Sequence, residues 1–148
     1  MQTAKGDSIL NQAVQWSKRR TDIVAAALVG SWARGTAHAD SDVDLMFLTP
    51  NAVAYRASQV WMTEIGWEVL GYRIQSWKDQ RYGLVWSRHI YFEEGGEIEC
   101  SFGLPSWADT QPIDPGTAGV VRKGCKILYD PEDLLMKLIA RVSVLSVL

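Results

Sequence analysis

Cysteine is scarce in this sequence of 148 residues, which contains only Cys100 and Cys125. Two cysteines are too few for the disulfide framework of a small secreted protein, and their scarcity favours a reducing compartment. We therefore expect two free thiols and a cytoplasmic protein. The start of the chain lacks the apolar core of a secretory signal. No apolar run approaches the ~20 residues that cross a bilayer, so we expect no membrane partner.

A strong charge of either sign is also missing, since the formal net charge is −2 and the sequence pI is about 5.6. Without a global basic field, the composition argues against nucleic acid as a general partner, although a local basic patch stays open. A hydrophobic content of 47% is ordinary for a globular protein. The length predicts one domain over residues 1–148 that buries a core without disulfides.

Hydrophobic periodicity predicts an α+β fold, in which helices pack on a mixed, twisted β-sheet. The uniformly apolar run 23–29 is typical of a strand buried on both faces, and 43–49 predicts a second strand. Further strands are expected over residues 67–77, 84–92, 97–104 and 125–129. Helices are expected from Asp7 or Ser8 to about Arg20, over about 51–65, and from Asp114-Pro115 and Asp130-Pro131 onward.

The most informative stretch is residues 30–44, which lies between the first two apolar runs. Asp42 and Asp44 stand at the start of the second run, and strand alternation places both on one face with Cβ atoms roughly 7 Å apart. Carboxylates so placed repel each other unless a cation lies between them, and hard oxygen ligands favour Mg²⁺. The small Gly30-Ser31 turn lets backbone N–H groups approach an anion. Together these features predict a metal site beside an anion site, as a nucleoside triphosphate requires.

A third carboxylate is expected on a neighbouring strand, and segment 97–102 is the best source. Glu97, Glu99 and Ser101 share one face of this segment, and the opposite face is apolar and expected to meet the core. We prefer Glu99 to Glu97 because Glu99 lies deeper in the apolar segment, where a charge needs a partner. Glu97 borders the turn and is more easily a solvated residue.

The ordered set Gly30-Ser31, Arg34-Gly35 and Ser41-Asp42-Val43-Asp44 between two apolar strands resembles the signature of the DNA polymerase β-like nucleotidyltransferase superfamily. A separated third carboxylate on a later strand is similar to the same pattern. Within the superfamily, the chain resembles two kinds of small bacterial domain. These are the catalytic domains of aminoglycoside adenylyltransferases and the minimal nucleotidyltransferases paired with helical toxins.

The resemblance implies Mg²⁺-dependent transfer of a nucleoside monophosphate, AMP from ATP, to an acceptor hydroxyl by two-metal catalysis. It assigns the metal and catalytic roles to Asp42, Asp44 and Glu99. Glu99 either completes the metal site or accepts the proton of the hydroxyl. The nucleotide-binding residues implied are Gly30, Ser31, Arg34 and Ser41. For Arg34, pairing with a surface acid is the alternative to phosphate binding.

Other polar residues are interpreted as structural. We expect His38 and Asp40 to be loop residues and His89 to be a structural residue of its strand. For His38, contact with a phosphate or with the acceptor is the alternative. A solvated sheet face is expected for Arg73, Lys78, Arg81 and Arg88, with a place along a substrate groove as the alternative for some of them. Lys123 and Lys126 are groups that could face the site.

The acceptor is the least determined part of the resemblance. Two-domain antibiotic adenylyltransferases carry a helical domain after the catalytic one, and too few residues follow Glu132 for it. We therefore expect a second subunit, as in a homodimer, to complete the cleft, or a large acceptor. Three functions follow: transfer to an aminoglycoside-like small molecule, an antitoxin that binds or adenylylates a helical toxin, and a silent domain that only binds nucleotide.

Overall fold

Residues 4–37 and 42–146, which a computed structural model of the chain describes, contain both strands and helices. The strands in these ranges are β1 (Ala25–Val29), β2 (Val43–Leu48), β3 (Ile74–Tyr82), β4 (Val85–Phe92), β5 (Glu97–Gly103) and β6 (Cys125–Tyr129). The helices are α1 (Ala4–Arg19), α2 (Ser31–Arg34), α3 (Ala52–Arg56), α4 (Val60–Ile65), α5 (Pro115–Lys123) and α6 (Leu134–Ser146). None of these helices is long and apolar enough to span a lipid bilayer.

All six strands join one sheet in the order β3-β4-β5-β2-β1-β6. The pairing of β2 with β5 is parallel, and the other neighbours pair antiparallel. Helices α1, α3 and α4 cover one face, and α5 and α6 cover part of the other. The predicted α+β fold with a mixed sheet is therefore confirmed.

Alternation along the central strands divides the core between the two faces of the sheet. In β2, Leu45 and Phe47 pack under α1, α3 and α4, whereas Met46 and Leu48 pack under α5 and α6. On the first face, the ring of Phe102 lies 4.9–5.3 Å from four other aromatic rings, those of Phe47, Tyr55, Trp61 and Trp86. This aromatic cluster fastens helices α3 and α4 to the middle of the sheet.

The predicted caps of the last two helices are present. Asp114 accepts a hydrogen bond from the Thr117 backbone at 3.0 Å, so α5 begins as expected. The last helix begins at Leu134, four residues later than Asp130, yet the Asp130 carboxylate still accepts the backbone N–H groups of Leu135 and Met136. Cys100 and Cys125 are free thiols, as predicted.

Two predicted elements have different boundaries in the structure. The single helix expected over 51–65 is broken into α3 and α4, because the carbonyl groups of Arg56 and Ser58 accept hydrogen bonds from the Arg88 side chain. The strand expected over 67–77 begins only at Ile74, after a 3₁₀ turn over Trp67–Leu70. The indole of Trp67 donates to the Ile9 carbonyl of α1, so this segment follows the helix instead of the sheet.

Arg88 is buried, with 2% of its surface exposed, and the expected place on a solvated sheet face is wrong. Its strand register explains the difference, because Arg88 pairs with Cys100, whose side chain lies in the core. Arg88 Nε and Nη2 donate to the Asp79 carboxylate at 2.7 and 3.0 Å. The guanidinium lies 5.3–5.7 Å from the ring centres of Trp61, Trp77 and Trp86. This side chain ties edge strand β3 to the break between α3 and α4.

We expect Arg88→Met to lower the free energy of unfolding by about 2–4 kcal/mol, because Asp79 and the two partly buried carbonyls of Arg56 and Ser58 lose their donor together. Urea denaturation followed by tryptophan fluorescence measures the change. Arg81→Met, an exposed position on the same hairpin, is the control and should stay within about 0.5 kcal/mol of the parent. Equal stability of the two variants would contradict the structural role of Arg88.

Candidate active site

Acidic side chains from two neighbouring strands meet on the part of the sheet that α5 and α6 leave open. Asp42 immediately precedes β2 and Asp44 is the second residue of that strand. The parallel register places Asp44 opposite Glu99 of β5. Since alternate residues share a face, Glu97 lies on this side as well. The structure thus brings together the three carboxylates that the sequence singled out and adds a fourth.

Asp44 carries most of the electrostatic cost of this arrangement. Its pKa is raised from an ordinary 3.8 to about 7, first by burial and then by the negative charges of Glu99, Asp42 and Glu97. The pKa of Asp42 is also raised, by burial first and then by Glu97. A set of hard carboxylate oxygens that repel one another in this way suits a divalent cation such as Mg²⁺. The donor set therefore fits the metal that the sequence implied.

Gly30 lies directly against this cluster. Its backbone has φ 75° and ψ −154°, a conformation available to glycine, and helix α2 starts at the next residue. A Cβ atom at this position would collide with Oδ2 of Asp44. Gly30 and Ser31 are both partly exposed, so their backbone stays accessible beside the carboxylate. Close approach of this turn to a bound group thus depends on glycine.

A cavity of about 290 Å³ joins the turn to the carboxylates. Its polar wall includes Gly30, Arg34, Asp44, Glu99 and Lys123. Arg34 Nη1 donates to the Lys123 carbonyl at 3.2 Å, so its described partner is a backbone oxygen and not a surface acid. Lys126 pairs with Leu28, which belongs to the core on the opposite face, and so points away from the cavity. Of the two lysines left open, Lys123 is the one at the site.

Ser41, which is expected to bind nucleotide, lies outside the described residues. The expected loop residues His38 and Asp40 lie outside them as well.

The contacts between His89 and the two glutamates of β5 were not predicted from the sequence. His89 Nδ1 lies 2.6 Å from Oε2 of Glu97 and 3.8 Å from Oε1 of Glu99. Glu97 is hydrogen bonded, with 18% of its side chain exposed, and is not the solvated residue expected. The four residues 93–96 between the two predicted strands would pair Phe92 with Glu97 and Ile90 with Glu99, whereas the observed register is shifted by one residue and pairs His89 with Glu99. The sequence pattern therefore contains no signal for this contact.

We expect Asp44→Asn to stabilise the metal-free protein, and the gain to grow with pH. The folded-state pKa of Asp44 is raised, so its favourable contribution is complete below about pH 4 and is lost as pH rises through about 7. Asparagine lacks this loss. Above pH 7.5 the gain should be about 1–2 kcal/mol, less than the full shift implies because solvent screens a partly exposed group.

Thermal unfolding at pH 4, 6 and 8 in the presence of a chelator measures this difference. Asp109→Asn, at an exposed position, serves as the control for the change of aspartate to asparagine. An Asp44→Asn variant that is less stable than the parent at pH 8 would show that Asp44 is stabilising and would overturn this electrostatic account.

Comparison with known proteins gives a family and a fold. A family model described as a nucleotidyltransferase domain matches residues 9–95, a range that contains Gly30, Asp42 and Asp44 but ends before Glu99. The structure is similar to that of an aminoglycoside 6-adenyltransferase from Bacillus subtilis, with a TM-score of 0.52 and 11% identity. That alignment covers 75% of this chain and 38% of the adenyltransferase, so this chain spans well under half of its length.

A second solved structure, a toxin-antitoxin with AMP-PNP, aligns over 93% of this chain and 86% of its own, at 11% identity and a TM-score of 0.47. A TM-score this low does not establish a shared fold. No curated protein matches the chain. At such identities, the likeness to solved structures establishes the fold alone.

Proposed function

Because the chain belongs to the nucleotidyltransferase domain family, we propose that it transfers AMP from ATP to an acceptor hydroxyl and that residues 1–148 form one such domain. The resemblance to the DNA polymerase β-like superfamily, inferred from residues 30–44, is confirmed by this family membership and by the fold. The observation that carries the proposed reaction is the register of β2 and β5. It sets Asp44 opposite Glu99, beside the Gly30 turn.

In this proposal Asp42, Asp44 and Glu99 hold Mg²⁺. Bound Mg²⁺ would supply Lewis-acid stabilisation of the charge that develops on the transferred phosphoryl group. The raised pKa of Asp44 supports the assignment, since a cation would relieve the repulsion that now favours its protonated form. The resemblance allows two roles for Glu99, as a metal ligand or as the acceptor of the hydroxyl proton. Its place opposite Asp44 favours the ligand role.

The polyphosphate is proposed to lie in the cavity between the turn and α5. The backbone of Gly30 and the hydroxyl of Ser31 would bind the β- and γ-phosphates, with Ser41 as a further contact. Arg34 and Lys123 line the same cavity and would complement the negative charge of the phosphates. Each of these groups binds and orients the nucleotide, which leaves the α-phosphate near the carboxylates for in-line attack.

The acceptor is proposed to be a small amino-polyol of the aminoglycoside type. Glu97, the acidic side chain that is not assigned to Mg²⁺, lies beside the proposed metal ligands, and a carboxylate there complements the amino groups of a positively charged polyol. Transfer to a helical toxin is the alternative for the same chemistry, and it is an outcome of the assay below.

We also propose a cytoplasmic location for the protein. The free thiols of Cys100 and Cys125 support this proposal.

We expect the protein to release pyrophosphate from ATP when Mg²⁺ and a suitable acceptor are present, and to stop when the metal is chelated. Asp42→Asn and Asp44→Asn should each reduce turnover by about 10³-fold or more, because loss of a ligand removes several kcal/mol of transition-state stabilisation. Asp109→Asn is the matched control and should keep the parent rate.

The assay compares a panel of aminoglycosides and simple polyols with a co-purified protein partner as acceptor. If AMP is transferred to a protein and to no small molecule, the acceptor is a protein and not the polyol that we propose. Tight ATP binding without transfer to any acceptor would support the silent domain, and full activity in either asparagine variant would refute the assigned roles.

A further inference from the structure

Strand β5 offers two glutamates to the site. Glu97 and Glu99 lie on the same face, two residues apart, with side chains 18% and 22% exposed. Both influence the acidic pair of β2, since Glu99 raises the pKa of Asp44 and Glu97 raises that of Asp42. Position on the strand alone therefore does not decide which glutamate completes the cation site.

Contacts with His89 separate the two glutamates. His89 lies on β4, opposite Glu99 in the register, yet its Nδ1 is 2.6 Å from the Glu97 carboxylate and 3.8 Å from that of Glu99. An ionised carboxylate only accepts hydrogen bonds, so Nδ1 carries the proton and donates a hydrogen bond to Glu97. Over residues 4–37 and 42–146, no group donates a hydrogen bond to the Glu99 carboxylate, which leaves its oxygens available.

The imidazole ring is held at both ends. Its Nε2 lies 3.3 Å from the hydroxyl of Tyr82 on β3, and only 15% of the side chain is exposed. A ring fixed in this way keeps Nδ1 directed at Glu97 whichever state Nε2 adopts. Glu97 is thereby drawn towards β4, on the side of β5 away from β2.

From these contacts we propose that His89 is a positioning residue, which keeps the Glu97 carboxylate directed towards β4 and so reserves the cation site for Glu99. The inference rests on the proposed function, because it concerns the same carboxylate cluster. Partners that orient the carboxylates around a metal typically change its affinity by about 10- to 100-fold when they are lost. If His89 acts in this way, the two glutamates are unequal only while the imidazole, or another donor in its place, is present.

The test uses Mn²⁺ alone as the probe and measures its affinity by electron paramagnetic resonance. With His89 present, Glu99→Gln should weaken Mn²⁺ binding by at least about tenfold, whereas Glu97→Gln should change it by no more than about threefold. In the His89→Leu background Glu97 is released and can replace Glu99. There, Glu99→Gln should also cost no more than about threefold.

His89→Asn is the matched variant, because its amide is close in size to leucine and keeps a donor near the place of Nδ1. The asymmetry between Glu97→Gln and Glu99→Gln should persist in the asparagine background and disappear in the leucine background. A merely space-filling histidine would alter both glutamate variants equally. Arg81→Leu, an exposed change on the neighbouring strand, controls for the substitution to leucine.

Each outcome decides between the inference and the function on which it rests. Equal effects of Glu97→Gln and Glu99→Gln in the presence of His89 would overturn the inference, and this comparison needs no leucine variant to fold. Retained asymmetry in a folded His89→Leu protein would overturn it too. Failure of the parent protein to bind Mn²⁺, or unchanged binding in Asp44→Asn, would instead refute the proposed metal site.

Discussion

The parallel pairing of β2 with β5 is the constraint on which the site depends. It joins strands that are far apart in the chain, and it sets Asp44 opposite Glu99 on the part of the sheet that α5 and α6 leave open. A different neighbour for β2 would leave Asp42 and Asp44 without the third carboxylate. The aromatic cluster around Phe102 and the buried Arg88 hold β5 and β4 in this register.

Electrostatic repulsion opposes that pairing in the absence of a cation. The pKa of Asp44 is raised to about 7 because a partly buried carboxylate meets three other acids. Burial of apolar side chains on both faces of the sheet supplies the stability that offsets this repulsion. The fold holds several negative charges close together on the uncovered part of the sheet. A ligand that brings positive charge would reduce their repulsion.

The site lies partly inside and partly outside the range of the family match. The nucleotidyltransferase family match spans the Gly30 turn and the Asp42–Asp44 pair, and it ends before Glu97 and Glu99. The hydrogen bond from His89 to Glu97 lies partly beyond that match and is described from the structure alone. Such a contact lets one protein assign separate roles to two neighbouring glutamates without altering the shared motif.

Local features of the protein could be predicted from its amino-acid sequence: Asp42 and Asp44 on one face, Glu97 and Glu99 on another strand, and the caps Asp114 and Asp130. Alternation and capping act between residues close in the chain, so they can be read without a fold. Three other features required the folded chain: Glu99 faces Asp44, His89 holds the Glu97 carboxylate, and Arg88 is buried and divides a predicted helix. These outcomes depend on which distant strands become neighbours, and no local pattern specifies that choice.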